Sequence, residues 1–401
     1  MQKNRFILFL CVCLALTGCT LPRRAAPDAT ATATTAPVPS ALPSATATIT
    51  PLPSPTTTPT EVPTPTLTPT PVLLVGPDMP LPKGLAPITP DNAGEVSGLA
   101  EWRETAVADL AWTPDGVNLA VATPYDIRLY DPLTRRNMRT LYPARTGVVD
   151  IAFSPKGNWL AAAEREGSYK DGFASGVELW HGPDWRPLGL LYGAPRGLNN
   201  LAFSPDGFFL AAVFSSPNSY ENSIEFFNTL SWAISDTLQT GTALNVVFAP
   251  DGTMLAYTPD RYAINVWDTQ NDEPLYQIHT SFTGAVNSLA FSPDSGILAS
   301  GHYDGMVRLW DMRTGELALE FDSGAVVQSL TFSPDGRLLA TGGSFENSLV
   351  QLWSAGSGTL LRQLDGQGGG IVGLAFSPDG QMLASAAYDG LVRLWGVRPQ
   401  E

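Results

Sequence analysis

A five-residue phrase recurs seven times along the chain, and no other feature restricts the fold so tightly. It reads WTPDG at 112–116, FSPKG at 153–157, FSPDG at 203–207, FAPDG at 248–252, FSPDS at 291–295, and FSPDG at 332–336 and 376–380. The copies stand 41, 50, 45, 43, 41 and 44 residues apart. Residues 286–322 show what one full unit contains. Four apolar runs, Val286–Phe291, Ile297–Ser300, Met306–Trp310 and Leu317–Phe321, alternate with Ser-Pro-Asp-Ser-Gly, Tyr-Asp-Gly and Arg-Thr-Gly. Runs rich in Val, Leu, Phe and Trp between such clusters predict strands. The turn residues have a physical role: Pro pre-sets φ, Asp caps its own turn and Gly supplies positive φ.

Four strands per unit at this period predict a β-propeller. A four-stranded unit has two apolar faces and cannot bury both alone, so neighbours must stack. Runs such as Leu391-Val392-Arg393-Leu394-Trp395 are apolar nearly throughout, as a sheet covered on both sides requires. The third strands end in Trp310-Asp311 and Trp267-Asp268, with looser versions at Tyr130-Asp131, Trp180-His181, Phe227-Asn228, Trp353-Ser354 and Trp395-Gly396. With DGMVRLWD at 304–311 and DGLVRLW at 389–395, residues 98–401 resemble the WD-repeat propeller family. One departure stands out. That family often carries Gly-His ahead of a repeat's first strand, whereas the single Gly-His here, Gly301-His302, follows a second strand. The departure bears on the family's buried His–Asp–Ser–Trp network, not on the fold.

The seventh copy runs from about Gly370 and supplies three strands, Ile371–Phe376, Met382–Ala386 and Leu391–Trp395. Its fourth is expected from residues 96–104, VSGLAEWRE, which no other unit claims. Such closure removes an open sheet edge. The expected fold is therefore all-β: a seven-bladed propeller of four-stranded antiparallel blades over 76–401, the last blade completed by the domain's own N-terminal strand.

The segments before residue 76 read differently. Lys3 and Arg5 precede the apolar run 6–16, FILFLCVCLAL. At about 1.5 Å per residue that run is too short to anchor across a bilayer core of about 30 Å and fits a secretory signal, residues 1–18. The run ends in Leu16-Thr17-Gly18-Cys19, similar to a bacterial lipobox; the resemblance implies that Cys19 becomes the acylated N-terminus of a protein held on the extracytoplasmic side of a bacterial cell membrane. Residues 19–75 are dominated by Ala, Thr, Pro and Ser and lack aromatics, so they cannot bury enough apolar surface to fold and are expected to form a disordered tether. Its prolines favour polyproline II, and fifty residues at about 3.1 Å each reach on the order of 150 Å.

Charge and composition limit the chemistry. The formal charge is −15; residues 1–75 carry four basic and two acidic residues, which leaves 19 basic and 36 acidic, or −17, for the remainder. Such a domain repels phosphate backbones, which argues against nucleic acid. The three cysteines all lie in the first 19 residues, so the globular part has no thiol or disulfide. His181, His279 and His302 fall in different repeats and match no metal spacing. Asp115, Asp206, Asp251, Asp294, Asp335 and Asp379 are each the turn residue of a first hairpin. No metal, cofactor or catalytic set is expected.

The connections between second and third strands are richer. They hold Tyr125, Phe173 (with Tyr169 nearby), Tyr220, Tyr262, Tyr303, Phe345 and Tyr388, beside Asp126, Asp304 and Asp389. Equivalent connections gather on one face of a ring, and in the resembled family that face is a common docking surface for proteins and peptides. The expected function is a non-enzymatic scaffold, monomeric, gripping an unknown protein or peptide through these aromatics. The alternatives are a carbohydrate-binding propeller, with a glycan stacked on the same rings, and, with less support, a propeller enzyme. Segments 164–175 and 214–222 are expected as the longest loops on this face.

Overall fold

In the computed structural model each copy of the recurring phrase is a tight turn between the first two strands of a sheet. Residues 80–168, 172–194, 197–215, 222–241, 243–280, 284–365 and 368–399 are described, the side chains of 166–168, 172–174 and 192–194 excepted. The turn chemistry, a hydroxyl donating to the Asp two residues on, repeats in five of the seven copies; the second has Lys156 in place of the Asp and the fourth Ala249 in place of the hydroxyl. Asp206 Oδ1 accepts from Ser204 Oγ (2.5 Å) and from the Phe208 N–H (2.9 Å); Asp335 and Asp379 repeat the pattern with Ser333 and Ser377. Gly207, Gly336 and Gly380 follow at φ 76°, 71° and 70°. In the fifth copy Ser295 holds the same left-handed conformation at φ 61°, and its hydroxyl accepts from the Asp251 N–H of the preceding turn at 3.1 Å.

Seven four-stranded antiparallel sheets follow, each in sequence order except the last. The first strands of blades 1 to 7 are Asp109–Trp112, Val148–Phe153, Gly197–Phe203, Val246–Phe248, Val286–Phe291, Val327–Phe332 and Ile371–Phe376. They touch one another in unbroken succession and back from blade 7 to blade 1, so they line the centre of a closed ring. Side chains three positions before the turn aromatic tie blade to blade. Asp109 accepts from the Ile151 N–H (3.0 Å), Asp150 from the Leu201 N–H (2.6 Å), Asn200 from the Val246 N–H (2.9 Å) and Ser288 from the Leu330 N–H (3.3 Å).

The core is seven layers rather than one. Seven apolar clusters each lie at an interface between adjacent blades; the cluster of Leu160, Ile127, Ile151 and Trp180, for example, joins blades 1 and 2. Every sheet thus buries both faces against neighbours, as the continuous apolar runs require.

The ring closes with the N-terminal strand. Ser97–Arg103 pairs antiparallel with Leu391–Gly396, giving blade 7 its outer strand, with Glu101 opposite Arg393 and Trp102 opposite Val392. Two features go beyond the sequence reading. Residues 80–96 form a strap: the Leu81 N–H donates to Leu133 O (2.9 Å), Ala86 bridges Val397, and the Ile88 N–H donates to Gly380 O (2.8 Å). Leu81, Leu85, Ile88, Ala93 and Val96 are all buried. Segment 164–175 is not a long loop. The second and third strands of blade 2, Trp159–Ser168 and Gly172–His181, continue their ladder out to Ser168 opposite Gly172.

Candidate functional site

Two faces follow from strand direction. One carries the first-to-second and third-to-fourth turns, together with the strap. The other carries the second-to-third turns and the connections from each fourth strand to the next blade. On this second face the two kinds of segment are hydrogen-bonded to each other: Tyr303 N–H to Ala285 O (2.8 Å), Ser344 N–H to Val326 O (3.1 Å), Tyr388 N–H to Gly370 O (2.9 Å) and Thr280 N–H to Tyr262 O (2.8 Å).

Five of the seven aromatics expected here are described, and all five point to solvent. Tyr125, Tyr303, Phe345 and Tyr388 are 60–65% exposed and Tyr262 is 38% exposed. Tyr220 and Tyr169 lie outside the described residues, as does the Phe173 side chain. The face holds a sixth exposed aromatic, Tyr142, at 75%. It sits in the connection from blade 1 to blade 2, a segment type in which the sequence shows no recurring aromatic. Elsewhere the large exposed apolar side chains are mostly aliphatic, such as Val117, Leu133 and Leu230.

Phe345 and Tyr388 lie closest together, with ring centroids 5.1 Å apart and planes tilted by 39°. They edge a pocket of about 200 Å³ lined also by Gln328, Gly370, Ile371 and Val372. Gly370 permits this approach: a Cβ there would stand 3.0 Å from the Phe345 nitrogen.

The carboxylates beside the aromatics are already engaged. Asp126 accepts from Thr123 Oγ1 (2.6 Å) and pairs with Arg128 (2.9 Å); Asp304 caps Met306 (3.1 Å) and pairs with Arg308 (3.1 Å); Asp389 caps Leu391 (3.1 Å) and pairs with Arg103 (3.2 Å). Burial pushes the Asp304 carboxyl up, but Arg308 and the Met306 N–H outweigh it and hold it below the usual carboxylate range. What this face leaves exposed is therefore aromatic, while the acids hold the turns in shape. The two channel carboxylates are likewise committed to backbone N–H groups. Burial raises Asp109 to about 6, against the Ile151 N–H that pulls it down.

The sequence departure at Gly301-His302 has an unexpected outcome. His302 sits on the second strand of blade 5, fully buried, and completes a network from there. The Trp310 indole donates to Ser300 Oγ (2.9 Å), Ser300 lies 2.8 Å from His302 Nε2, and His302 Nδ1 lies 2.8 Å from Gly284 O. A carbonyl only accepts, so Nδ1 carries the proton, Nε2 accepts from Ser300 and the ring is neutral. Burial accordingly lowers the His302 pKa. Blades 6 and 7 keep the shorter pair, Trp353 to Thr341 (2.9 Å) and Trp395 to Ser385 (2.8 Å).

These features define a class by fold: a seven-bladed β-propeller of four-stranded antiparallel sheets that presents exposed aromatics on one face. The WD domain, G-beta repeat family model matches residues 135–172, 273–311, 316–354 and 358–396. The last three matches each run from the outer strand of one blade to the third strand of the next, and end in the blades with Trp–Ser/Thr pairs. The repeat unit thus straddles two blades, the same offset that lets the first strand close blade 7. The chain is 29% identical over 38% of its length to periodic tryptophan protein 2 of Arabidopsis thaliana. It is 33% identical over 22% of its length to the small ribosomal subunit protein RACK1y of Oryza sativa subsp. japonica, and 26% identical over 35% to the WD repeat-containing protein srw1 of Schizosaccharomyces pombe. The aligned segments span 17%, 26% and 26% of those three proteins.

Proposed function

We propose that this protein is a non-catalytic docking scaffold whose aromatic face grips an extended segment of another protein. The observation that carries this reading is the exposure of every described aromatic in the second-to-third-strand turns. Solvent-exposed aromatic rings on a rigid frame are the side chains that dominate binding hot spots. The similarity to WD-repeat proteins supports a protein partner over a small molecule. The leader supports the placement: a lipobox-like Leu16-Thr17-Gly18-Cys19 followed by a Pro/Thr-rich stretch fits a scaffold acylated at Cys19 and held away from a bacterial membrane on its extracytoplasmic side. Residues 1–79 lie outside the described structure.

The tilted rings of Phe345 and Tyr388 beside their pocket favour a second reading, a glycan stacked on the same face. One experiment separates the two. Cells expressing the full-length protein or its Tyr303→Ala/Tyr388→Ala variant are surface-crosslinked, and the protein is recovered from the membrane fraction. A crosslinked protein species that the double variant loses, with an unchanged melting temperature, supports docking. A species retained at full yield by the variant overturns the assignment to this face. Binding on a glycan array that the variant loses, with no protein crosslink, establishes the glycan reading instead. Cys19→Ser is expected to move the protein out of the membrane fraction.

A further inference from the structure

On the turn face the gaps between neighbouring blades are filled from two recurrent positions. One is the left-handed residue of the third-to-fourth-strand turn; the other is the outer-strand residue of the preceding blade that faces it. Between blades 1 and 2 the turn residue is Trp185 (φ 45°), packed edge-on against Phe153 at 5.4 Å, and between blades 2 and 3 it is Trp232 (φ 54°), against Trp159 at 4.9 Å. In the next two such gaps, 4/5 and 5/6, it is Gly315 and Gly358, and the preceding outer strand lays a ring over each. A Cβ on Gly315 would stand 2.5 Å from the Tyr276 ring, and one on Gly358 2.7 Å from Phe321. The strap covers the remaining two, with Ile88 at 6/7 and Leu81 and Leu85 at 7/1.

The gap between blades 3 and 4 has no such filler. Its turn position holds Asp272 (φ 56°), and Asp236, opposite Phe226, stands in the register that Tyr276 occupies opposite Val266. A slot of about 400 Å³ lies here, floored by Phe226, Phe248 and Leu255, and these substitutions change its lining rather than its size. Trp267 walls it, half-buried. In blades 5 to 7 the equivalent indole donates inward to Ser300, Thr341 or Ser385, but blade 4 has Tyr257 in that register, and the Trp267 indole donates to Asp272 (3.2 Å) at the slot's edge. Asp206 and Asp251 complete a rim of four carboxylates, and among the described residues no Lys or Arg lines the slot.

An indole wall and an apolar floor under an anionic rim complement a cation carried on an apolar stem. We propose that this slot is a second docking site, separate from the aromatic face, which takes an arginine or lysine side chain projecting from a partner protein. The slot between blades 5 and 6 provides an internal control. It is similar in volume, about 410 Å³, but its carboxylates are only the turn caps Asp294 and Asp335, and no indole lines it.

The test uses full-length protein labelled with ¹⁵N at its indoles and titrated with acetyl-Gly-Arg-Gly-amide. The Trp267 resonance is the one missing from the Trp267→Phe spectrum. It is expected to shift saturably with this peptide and with its Lys counterpart, and not with acetyl-Gly-Glu-Gly-amide. Asp236→Asn/Asp272→Asn keeps an acceptor for the indole and a residue that tolerates positive φ, so the starting spectrum persists while affinity falls at least ten-fold. Asp294→Asn/Asp335→Asn leaves affinity unchanged. Absence of a saturable shift overturns the proposal. So does equal weakening by both double variants, which would reduce the effect to the overall negative charge. Neither outcome depends on Tyr303 or Tyr388.

Discussion

The middle of each third strand carries a polar residue at the blade interface, and how it is satisfied differs from blade to blade. Arg128, Arg308 and Arg393 each meet a carboxylate: Glu104, Asp304 at 3.1 Å and Glu101 at 2.6 Å respectively. Blade 2 places Glu178 in this row, and the side chain it meets, diagonally across the adjacent strand, is a second acid, the fully buried Glu164. Burial first, and Glu178 second, raise the Glu164 pKa to about 9, with Arg145 opposing. The unfolded chain releases this proton near 4.5, so between 4.5 and 9 the folded state holds a proton that the unfolded state has lost. Stability therefore falls as pH rises through that window. Glu164→Gln supplies the neutral form permanently. It is expected to unfold harder than wild type at pH 8, by at most about 5 kcal/mol, and to match it near pH 4.5, as read by urea melts at the two pH values. A stability gap independent of pH would show that Glu164 is ionised in the fold. None of this was legible in the sequence, where Glu164 and Glu178 are two acids among many; only pairing across adjacent strands brings them together.

At the scale of the strand, the element that matters most is Ser97–Arg103. Without it Leu391–Gly396 is a free edge, and Leu99 and Ala100, both fully buried, leave the seam between blades 7 and 1. Deleting residues 95–104 is expected to lower the melting temperature by roughly 10 °C or more and to produce oligomers on gel filtration, because an unpaired edge recruits another chain. Leu99→Ala, which keeps the backbone ladder, should cost roughly 2–5 kcal/mol. A deletion variant that stays monomeric with an unshifted transition would mean that the ring closes without this strand. The strand itself was readable, since a unit of three strands at one end and an unclaimed strand at the other imply each other. The turns were readable too, because Ser-Pro-Asp-Gly carries its own conformational chemistry. The strap was not, since its only secondary structure is one short helical turn, Ala93–Glu95, and a single bridge at Ala86. His302 was misleading for a related reason: position along the chain suggested a missing network, whereas the side chain reaches Gly284 O from the neighbouring strand.

For the whole molecule, the direction of the strands decides what is free to bind. The chain enters along the strap and leaves at Val397–Arg398, both on the turn face, because Leu81 meets Leu133, Ala86 meets Val397 and Ile88 meets Gly380. The exposed tyrosines and Phe345 lie at the other end of the same strands. The first described residues of the strap and Val397–Arg398 therefore lie on the side away from the aromatics. This separation gives a test of the docking face that leaves its aromatics in place. A small folded tag fused after Glu401 is expected to leave partner capture unchanged, whereas the same tag inserted between Tyr303 and Asp304 should abolish it. Insertion into an exposed turn is tolerated where few buried contacts are broken, and both fusions should melt within a few degrees of the parent. If the C-terminal fusion alone blocks capture, the partner sits on the turn face, and the slot beside Trp267 becomes the principal site. Loss with both fusions would place it across the rim of the ring. The six exposed aromatics predict the first outcome, because a tag rising from the Tyr303 turn stands among them while one beyond Arg398 is separated from them by the full length of a strand.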